Sequence, residues 1–265
     1  MNLIPKKSLG QNFLLNKQII KDIVKLGNIT SKSTVIEIGP GTGNLTEEIL
    51  KNNPYKFFAI EKDKNLFEKL NNKFSSSLEL LNQDVLNVNW NNFNKSDCIV
   101  YGNLPYNISS KILINWIMLN NLDKLFSKLI LMFQKEVADR LIAKVDSSNY
   151  GRLTILREWK LSANKIMDIN QDNFFPKPKV KSSLVYFEPK KKYFSFNDPR
   201  CLSRVTDIFF QNKRKMIKKP LNILFKNPST IINKLNLDEK SRPQNLNPET
   251  FFKISKEYEI QQELN

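Results

Sequence analysis

The chain has 265 residues and a mass of 31.0 kDa, which allows one or two domains with a sizeable apolar core. It has no histidine and two distant cysteines, Cys98 and Cys201, which excludes imidazole metal sites, histidine-dependent nucleophiles and a disulfide framework. The net charge of +16 at pH 7 favours a nucleic-acid partner, although a lysine-rich composition accounts for part of this surplus.

From residue 17 to about 188, helical periodicity alternates with short β-rich runs, a pattern typical of an α/β fold with a largely parallel sheet. The first helix is predicted to begin after Asn16 as N-cap and to stop at Gly27. Further helices are predicted over 44–51 and 64–73, and strands over 34–38, 57–61, 78–81, 98–101, 129–133 and 181–188, the last closing the sheet.

A linker is predicted after Pro189, where Lys190-Lys191-Lys192 and Asn197-Asp198-Pro199 interrupt the pattern. The C-terminal part of the chain has helical periodicity and offers no convincing strand. We therefore predict two domains, residues 1–189 and residues 190–265. Both domains carry a net charge of +8, so the shorter second domain has the higher positive charge density. It is therefore the better candidate for binding a polyanion.

The sequence predicts a soluble cytoplasmic protein that does not bind membranes. Residues 1–12 lack the apolar stretch of a secretory signal and the long Arg-rich pattern of a transit peptide. Apolar runs such as 129–133 are far too short to cross a bilayer. Two cysteines without a partner motif fit a reducing compartment. We also expect a monomer, because no heptad seam is present.

A glycine-rich loop, Glu37-Ile-Gly39-Pro-Gly41-Thr-Gly43, follows the first buried strand and opens a helix. Such a loop lets the backbone approach a ligand closely. The dinucleotide fingerprint needs its third glycine at position 44, where this chain has Asn44, so pyrophosphate binding is disfavoured. The loop suits a smaller nucleoside ligand, and a purely structural turn remains the alternative.

Two more acids follow the next strands. Glu61 is placed to accept hydrogen bonds from ribose hydroxyls, and Asp84 to accept one from an adenine amino group. Each acid alone would be interpreted as a solvated loop charge. Together with Glu37, at the carboxyl ends of successive strands, they favour a binding crevice.

The segment Tyr101-Gly-Asn103-Leu104-Pro105-Tyr106-Asn107 follows another apolar strand. The Asn103 side-chain oxygen and the Leu104 carbonyl could accept both hydrogens of an adenine N6 amino group, directing its lone pair at an electrophile. Tyr106 offers a stacking face for a base removed from its helix. A proline turn with a packed tyrosine is the structural alternative.

Two basic segments stand out. Phe174-Phe175-Pro176-Lys177-Pro178-Lys179-Val180 places an aromatic ring on a rigid basic loop, or is simply a connector with a core phenylalanine. Lys213-Arg214-Lys215 and Lys218-Lys219, interrupted by Met216 and Ile217, predict a basic helical face with an apolar back; a solvated helix is the alternative.

These motifs, with Leu9-Gly-Gln11-Asn12-Phe13-Leu14, Gln134-Lys-Glu-Val137 and Tyr150-Gly-Arg-Leu153, resemble the ribosomal RNA adenine dimethyltransferases of the KsgA/RsmA type. The resemblance runs from about residue 6 to residue 258. It implies S-adenosylmethionine as cofactor and N6,N6-dimethylation of two adjacent adenosines near the 3′ end of 16S rRNA in the immature 30S subunit. It also implies a Rossmann-like class I methyltransferase domain and a small all-helical C-terminal domain, with no metal.

The resemblance also implies roles for individual residues. The cofactor would be bound by Asn12, Leu14, Glu37, Gly39, Gly41, Glu61, Asp84 and Asn103. The target adenine would be held by Asn103, Leu104 and Tyr106, with Phe174 as a second stacking face. Contacts to rRNA would come from Lys213, Arg214, Lys215, Lys218, Lys219 and Arg242. This chain has Gln244 where family members often have Glu, so the resemblance does not decide which rRNA contacts the C-terminal region makes.

Four other functions remain open from the sequence alone. The related methyltransferases that modify one adenosine of large-subunit rRNA share the form of the Asn103 motif; the Arg242-x-x-Asn245 element favours the small-subunit enzymes. N6-adenine DNA methyltransferases usually have Pro where Leu104 stands. A non-catalytic assembly factor would use the same basic surface. A nicotinamide dehydrogenase is disfavoured by Asn44 and by the missing histidine.

Overall fold

The protein is described by a computed structural model covering residues 5–6, 9–93 and 97–263. The chain divides into two compact units, one of Met1–Ala138 with Ala163–Pro189 and the other of Asp139–Ser162 with Lys190–Asn265. Residues 139–162, predicted to belong to the first domain, therefore group with the C-terminal segment. Within that unit the Tyr150 hydroxyl donates to the Leu246 carbonyl at 2.8 Å, a contact that sequence separation conceals.

The elements alternate as the sequence predicts. The strands are β1 (Phe13–Leu14), β2 (Thr34–Ile38), β3 (Lys56–Glu61), β4 (Glu79–Asn82), β5 (Cys98–Asn103), β6 (Lys128–Gln134), β7 (Leu161–Ile169), β8 (Phe174–Phe175) and β9 (Ser182–Pro189). The helices are α1 (Lys17–Gly27), α2 (Asn44–Leu50), α3 (Lys64–Phe74), α4 (Ser109–Ile117), α5 (Leu122–Leu125), α6 (Lys135–Leu141), α7 (Arg152–Lys160), α8 (Arg200–Gln211), α9 (Lys218–Leu224), α10 (Pro228–Leu235) and α11 (Pro248–Glu263).

The main sheet has the order β4-β3-β2-β5-β6-β9-β7. The first five strands in this order, β4, β3, β2, β5 and β6, are parallel, and β9 runs antiparallel to β6. This confirms the predicted α/β fold with a largely parallel sheet. The prediction that the strand over 181–188 closes the sheet is wrong, because β9 lies between β6 and β7. The edge strand β7 alternates exposed and half-buried residues and so lacks the continuous apolar run that reveals a central strand.

The first helix shows how the core fixes local geometry. Asn16 is its N-cap as predicted, accepting from the backbone of residues 18 and 19. The left-handed residue that ends the helix is Asn28, with φ of 52°, whereas Gly27 is the last helical residue. Position 27 requires glycine, because a Cβ there would lie 1.9 Å from the Tyr101 hydroxyl and would clash with it. That hydroxyl donates to the Val24 carbonyl at 2.8 Å. The helix thus packs directly on β5.

The strand order fixes where a ligand can bind in the first unit. From β2 the chain moves through β3 to β4 on one side and then returns to β5 on the other. Open α/β sheets bind ligands at such a reversal, outside the carboxyl ends of the strands. Here the last residues of β2, β3 and β5 are Ile38, Glu61 and Asn103, so the predicted acids and the Asn103 motif converge on one edge.

The second unit is helical over the described part of 190–263, in agreement with the predicted helical C-terminal region. Its core contains Phe209 and Phe251, whose rings meet edge to face at 5.4 Å, with Leu202 and Ile254 fully buried. No helix in the described ranges has the length and apolar character needed to cross a membrane.

Candidate active site

A cavity opens at the carboxyl ends of β2, β3 and β5 in the first unit. Its empty space, including the open solvent at its mouth, is about 1120 Å³. All eight residues predicted to bind the cofactor line it: Asn12, Leu14, Glu37, Gly39, Gly41, Glu61, Asp84 and Asn103.

The glycine loop presents bare backbone to this cavity. Gly39 has φ of +65°, a left-handed conformation that side chains rarely adopt. A Cβ built on Gly39 would have no atom within 4 Å and would project into open space. A ligand can therefore approach the main chain at this point without displacing protein atoms.

Glu61 is held by the loop it faces. One of its carboxylate oxygens accepts from the Gly41 N–H at 3.2 Å and the other from the Asp63 N–H at 2.8 Å. The side chain is buried, and burial raises the pKa of Glu61 above its usual value. Each carboxylate oxygen can accept a second hydrogen bond, so the group stays available to ligand hydroxyls.

Glu37 is a second buried acid beside the same loop. Its Oε2 accepts from the Thr46 hydroxyl at 2.7 Å. Burial raises the pKa of Glu37 to about 8, and the nearby charge of Glu61 contributes to this rise. Two buried acids beside one cavity suit a ligand that brings positive charge.

Asp84 follows β4, and its environment differs from that of Glu37 and Glu61. Its Oδ1 accepts from the Leu86 N–H at 3.0 Å, and its Oδ2 pairs with the Lys62 ammonium at 2.8 Å. The hydrogen bond from Lys62 lowers the pKa of Asp84, so this carboxylate is ionised at neutral pH. The cavity thus contains Asp84, whose pKa is lowered, and two buried acids, Glu37 and Glu61, whose pKa values are raised.

Asn103 ends β5 with its amide fixed by the N-terminal segment. Its Nδ2 donates to the Asn12 carbonyl at 2.6 Å. The Asn12 amide in turn donates to the Gly10 carbonyl at 3.2 Å. This bond assigns the nitrogen of the Asn103 amide to the segment and leaves its oxygen as the acceptor for a substrate.

The other three residues predicted to hold the target adenine do not line the cavity. The Leu104 side chain is only 1% exposed, so its main-chain carbonyl alone is a candidate contact. Tyr106 is half-buried, with its hydroxyl 2.5 Å from the Ser182 hydroxyl. Phe174 is 4% exposed and belongs to the core, whereas its neighbour Phe175 is 53% exposed. The adenine-binding roles of these residues remain predictions.

Some cavity residues were not singled out by the sequence. Asn44, noted only as a missing glycine, donates from its amide to the Leu14 carbonyl at 2.8 Å and ties down the N-terminal segment. Gln11 lines the cavity and donates to Asp63 at 3.0 Å. The sequence gives one local indication of this contact, because Asp63 directly precedes the helical run of α3 and is its N-cap.

The basic residues predicted to bind rRNA are exposed in the second unit: Lys213, Arg214, Lys215, Lys218, Lys219 and Arg242. The predicted helix through 213–219 is wrong, because α8 ends at Gln211 and α9 begins at Lys218, with a turn between them. No apolar back forms there, since Met216 is 55% exposed and only Ile217 is buried. In a continuous helix, like charges would also lie one turn apart, as at Arg214 and Lys218, and such pairs destabilise a helix.

Some of these cations have protein partners. Lys218 pairs with Glu239 at 2.9 Å, and Lys213 donates to the Ser148 carbonyl at 2.7 Å. Within the described ranges, no cluster of three or more acidic or sulfur side chains could hold a metal ion.

Comparison with known proteins places the chain among rRNA-modifying enzymes. Ribosomal RNA small subunit methyltransferase A of Pelagibacter ubique (strain HTCC1062) is 48% identical over 254 residues, covering 96% of this chain and 97% of that protein. The protein of the same name from Wolbachia sp. subsp. Drosophila simulans (strain wRi) is 40% identical, covering 94% and 92%.

Solved structures agree with this relationship. A dimethyladenosine transferase from Plasmodium falciparum superposes with a TM-score of 0.80 at 28% identity, covering 93% of this chain and 97% of that one. The 23S rRNA methyltransferase ErmE, at 19% identity, shares the fold with a TM-score of 0.64, covering 94% and 99%. The family described as ribosomal RNA adenine dimethylase matches residues 3–259, which confirms the resemblance drawn from the motifs. The chain belongs to the ribosomal RNA adenine dimethylase family.

Proposed function

We propose that this methyltransferase moves methyl groups from S-adenosylmethionine to N6 of two adjacent adenosines in the 3′-terminal hairpin of 16S rRNA, within the immature 30S subunit. It would act as a monomer in the cytoplasm. The observation that carries the proposal is one cavity lined by acids at the ends of three strands and by Asn103 at the end of a fourth. The small-subunit enzyme of Pelagibacter, similar over nearly its whole length, supports the choice of rRNA.

The cavity residues fit the cofactor. The Glu61 carboxylate would accept the ribose hydroxyls and Asp84 the adenine amino group, while the open backbone at Gly39 receives the amino-acid end. Glu37 and Glu61 would compensate the positive charges of the sulfonium and ammonium groups. When bound, the cofactor supplies an electrophilic methyl group. Asn12 and Leu14, anchored by Asn103 and Asn44, would cover it.

The target adenine would be flipped out of its helix and held by its amino group. The Asn103 side-chain oxygen and the Leu104 carbonyl would accept the two N6 hydrogens, which favours a tetrahedral nitrogen with its lone pair directed at the methyl group. These oxygens also stabilise the positive charge that develops on N6. The spare proton leaves through water, and no covalent enzyme intermediate forms.

Positioning supplies much of the rate enhancement, because it converts an encounter of two molecules into a reaction within one complex. Tyr106, with its hydroxyl fixed on Ser182, would stack on the base. The exposed cations around the turn of residues 213–215, with Lys218, Lys219 and Arg242, would bind rRNA phosphates.

Mass spectrometry of small-subunit rRNA, after incubation of 30S subunits with the protein and isotope-labelled cofactor, tests the proposal. We expect two adjacent dimethyladenosines near the 3′ end. Primer extension on both rRNAs gives the position, and a stop on 23S rRNA alone would overturn the choice of substrate. A protein that binds 30S subunits without transferring label would instead be an assembly factor.

The Asn103→Ala variant tests the mechanism. We expect methyl transfer to be lost, because the Asn103 oxygen acts on the target base, and calorimetry to show only a modest rise in the cofactor Kd, because the lost amide nitrogen also anchors Asn12 beside the cofactor. Retained turnover would contradict its role.

A further inference from the structure

Asp63 is a buried carboxylate that the proposed reaction does not use. It lies between β3 and α3 and is 4% exposed. Both its oxygens receive hydrogen bonds from the N-terminal segment. The Gln11 amide donates to Oδ2 at 3.0 Å, and the Lys6 ammonium lies 3.0 Å from Oδ1 and 2.9 Å from Oδ2.

The two donors are themselves connected. The Lys6 backbone N–H donates to Gln11 Oε1 at 2.8 Å, so the Gln11 amide bridges the main chain and Asp63. Although burial opposes it, the hydrogen bonds from Lys6 and Gln11 hold the pKa of Asp63 below its usual range. The carboxylate is therefore charged at neutral pH, and a buried charge is costly unless its partners stay in place.

Asp63 also contacts two other parts of the site. Its Oδ1 caps α3 by accepting from the Asn65 N–H at 2.9 Å, and its own N–H donates to Glu61. Oδ1 thus serves α3, whereas Oδ2 serves Gln11. A substitution can therefore remove the hydrogen bond between Gln11 and Asp63 without removing the N-cap of α3.

The residue after Gln11 is Asn12, whose carbonyl accepts the Asn103 amide at 2.6 Å. Asp63 is therefore connected to Asn103 by the hydrogen bond to Gln11, the peptide bond between Gln11 and Asn12, and the hydrogen bond between Asn12 and Asn103. We propose that Asp63 is a positioning residue that, through Gln11, fixes the Asn12 carbonyl and so holds the Asn103 oxygen toward the target adenine. The inference rests on the proposed role of Asn103.

The first test is Gln11→Met, which keeps the side-chain length but removes the donor and the acceptor. We expect kcat to fall at least about tenfold, because small misplacements of a reacting group are costly. The melting temperature should fall only slightly, since Lys6 and the α3 backbone still pair with the Asp63 carboxylate. Gln18→Met is the matched control: it removes a Gln–Asp hydrogen bond of the same 3.0 Å length, to Asp22, on an exposed helix face.

The second test exchanges donor and acceptor. In the double variant Asp63→Asn with Gln11→Glu, the retained oxygen at position 63 still caps α3, and the new amide nitrogen donates to the new carboxylate. That carboxylate can still accept from the Lys6 N–H. Gln11→Glu alone places two carboxylates together and should lower kcat more than Gln11→Met. The double variant should recover at least half of the wild-type kcat.

An unchanged kcat in Gln11→Met, or a folded double variant no more active than Gln11→Glu alone, would overturn the inference. A purely structural role would change the melting temperature and the kcat together and would show no recovery by exchange. Failure of the proposed function is distinguishable, because the wild type itself would then transfer no methyl group to 16S rRNA.

Discussion

The buried acid Glu37 gives a prediction whose magnitude follows from the structure. Its side chain is 2% exposed, and burial raises its pKa from the usual 4.5 to about 8. Between these values the folded protein holds a proton that the unfolded chain has released. Stability therefore falls as the pH rises from about 4.5 to about 8, since the folded state binds more protons there.

The size of the effect follows from the two pKa values. One pKa unit corresponds to about 1.4 kcal/mol, so the full interval is worth on the order of 5 kcal/mol, and the part between about pH 6 and 8 is worth roughly 2 kcal/mol. For a chain of this length that is a decrease in Tm of roughly 4–8 °C. The chain has no histidine, so few other groups titrate in this window.

Glu37→Gln removes the ionisation and keeps a carbonyl oxygen that can accept from the Thr46 hydroxyl. We expect thermal unfolding, followed by circular dichroism in buffers from about pH 6 to 8, to show a Tm that falls in the wild type and stays nearly level in the variant. Glu47→Gln, at an exposed position on α2, is the control and should behave as the wild type.

An equal pH-dependence in Glu37→Gln and the wild type would refute this reasoning, as would a wild-type Tm that does not change over the window. A second readout uses the cofactor. A cationic ligand favours the ionised acid, so binding below about pH 8 should release a proton, detected by calorimetry in buffers of different ionisation enthalpy. That release should disappear in Glu37→Gln.

Four further results are expected. Glu61→Ala should raise the cofactor Kd at least about tenfold in calorimetry, because a buried carboxylate and its two backbone hydrogen bonds are lost; unchanged affinity would argue against its role. Phe174→Ala should lower the free energy of unfolding by about 3–5 kcal/mol in denaturant titrations. Phe175→Ala should stay within about 0.5 kcal/mol of the wild type, since its ring is exposed; equal losses would contradict their assignment to core and surface. Arg214→Ala should weaken rRNA binding and reduce the slope of log K against log salt by about one, and a slope equal to that of the wild type would remove it from the interface.

Several residues that line the candidate cavity could be predicted from local sequence. Glu37, Glu61 and Asp84 can be recognised because each lies at the carboxyl end of a strand or just beyond it, and the carboxyl ends of parallel strands meet at one edge of a sheet. Chain order and periodicity therefore suffice to bring these acids together. The same reasoning places Asn103 at that edge, because it ends the next apolar strand.

Local sequence could not give the direction of each side chain. Phe174 and Phe175 are adjacent and chemically identical, yet one is in the core and the other in solvent. The difference comes from β8 pairing with β1, where Leu14 lies opposite Phe174. Pairing between residues so far apart in the chain leaves no local trace.

The turn of residues 213–215 resembles a helix in sequence because lysine and arginine have high helix propensity. In the folded unit, Ile217 alone of this segment is buried, so no apolar face stabilises a helix there. Residues 139–162 similarly group with the C-terminal helices through contacts such as that between Tyr150 and Leu246.

By itself the sequence determined the fold class, the strands β2 to β6 in chain order and the identity of the cavity-lining acids, because hydrophobic periodicity and strand ends are local properties. Only the tertiary structure decided the bonds between distant segments, such as Asn103 to Asn12 across 91 positions and Gln11 to Asp63 across 52. Such bonds depend on how the elements pack, and packing is a property of the whole chain that no short window of sequence contains.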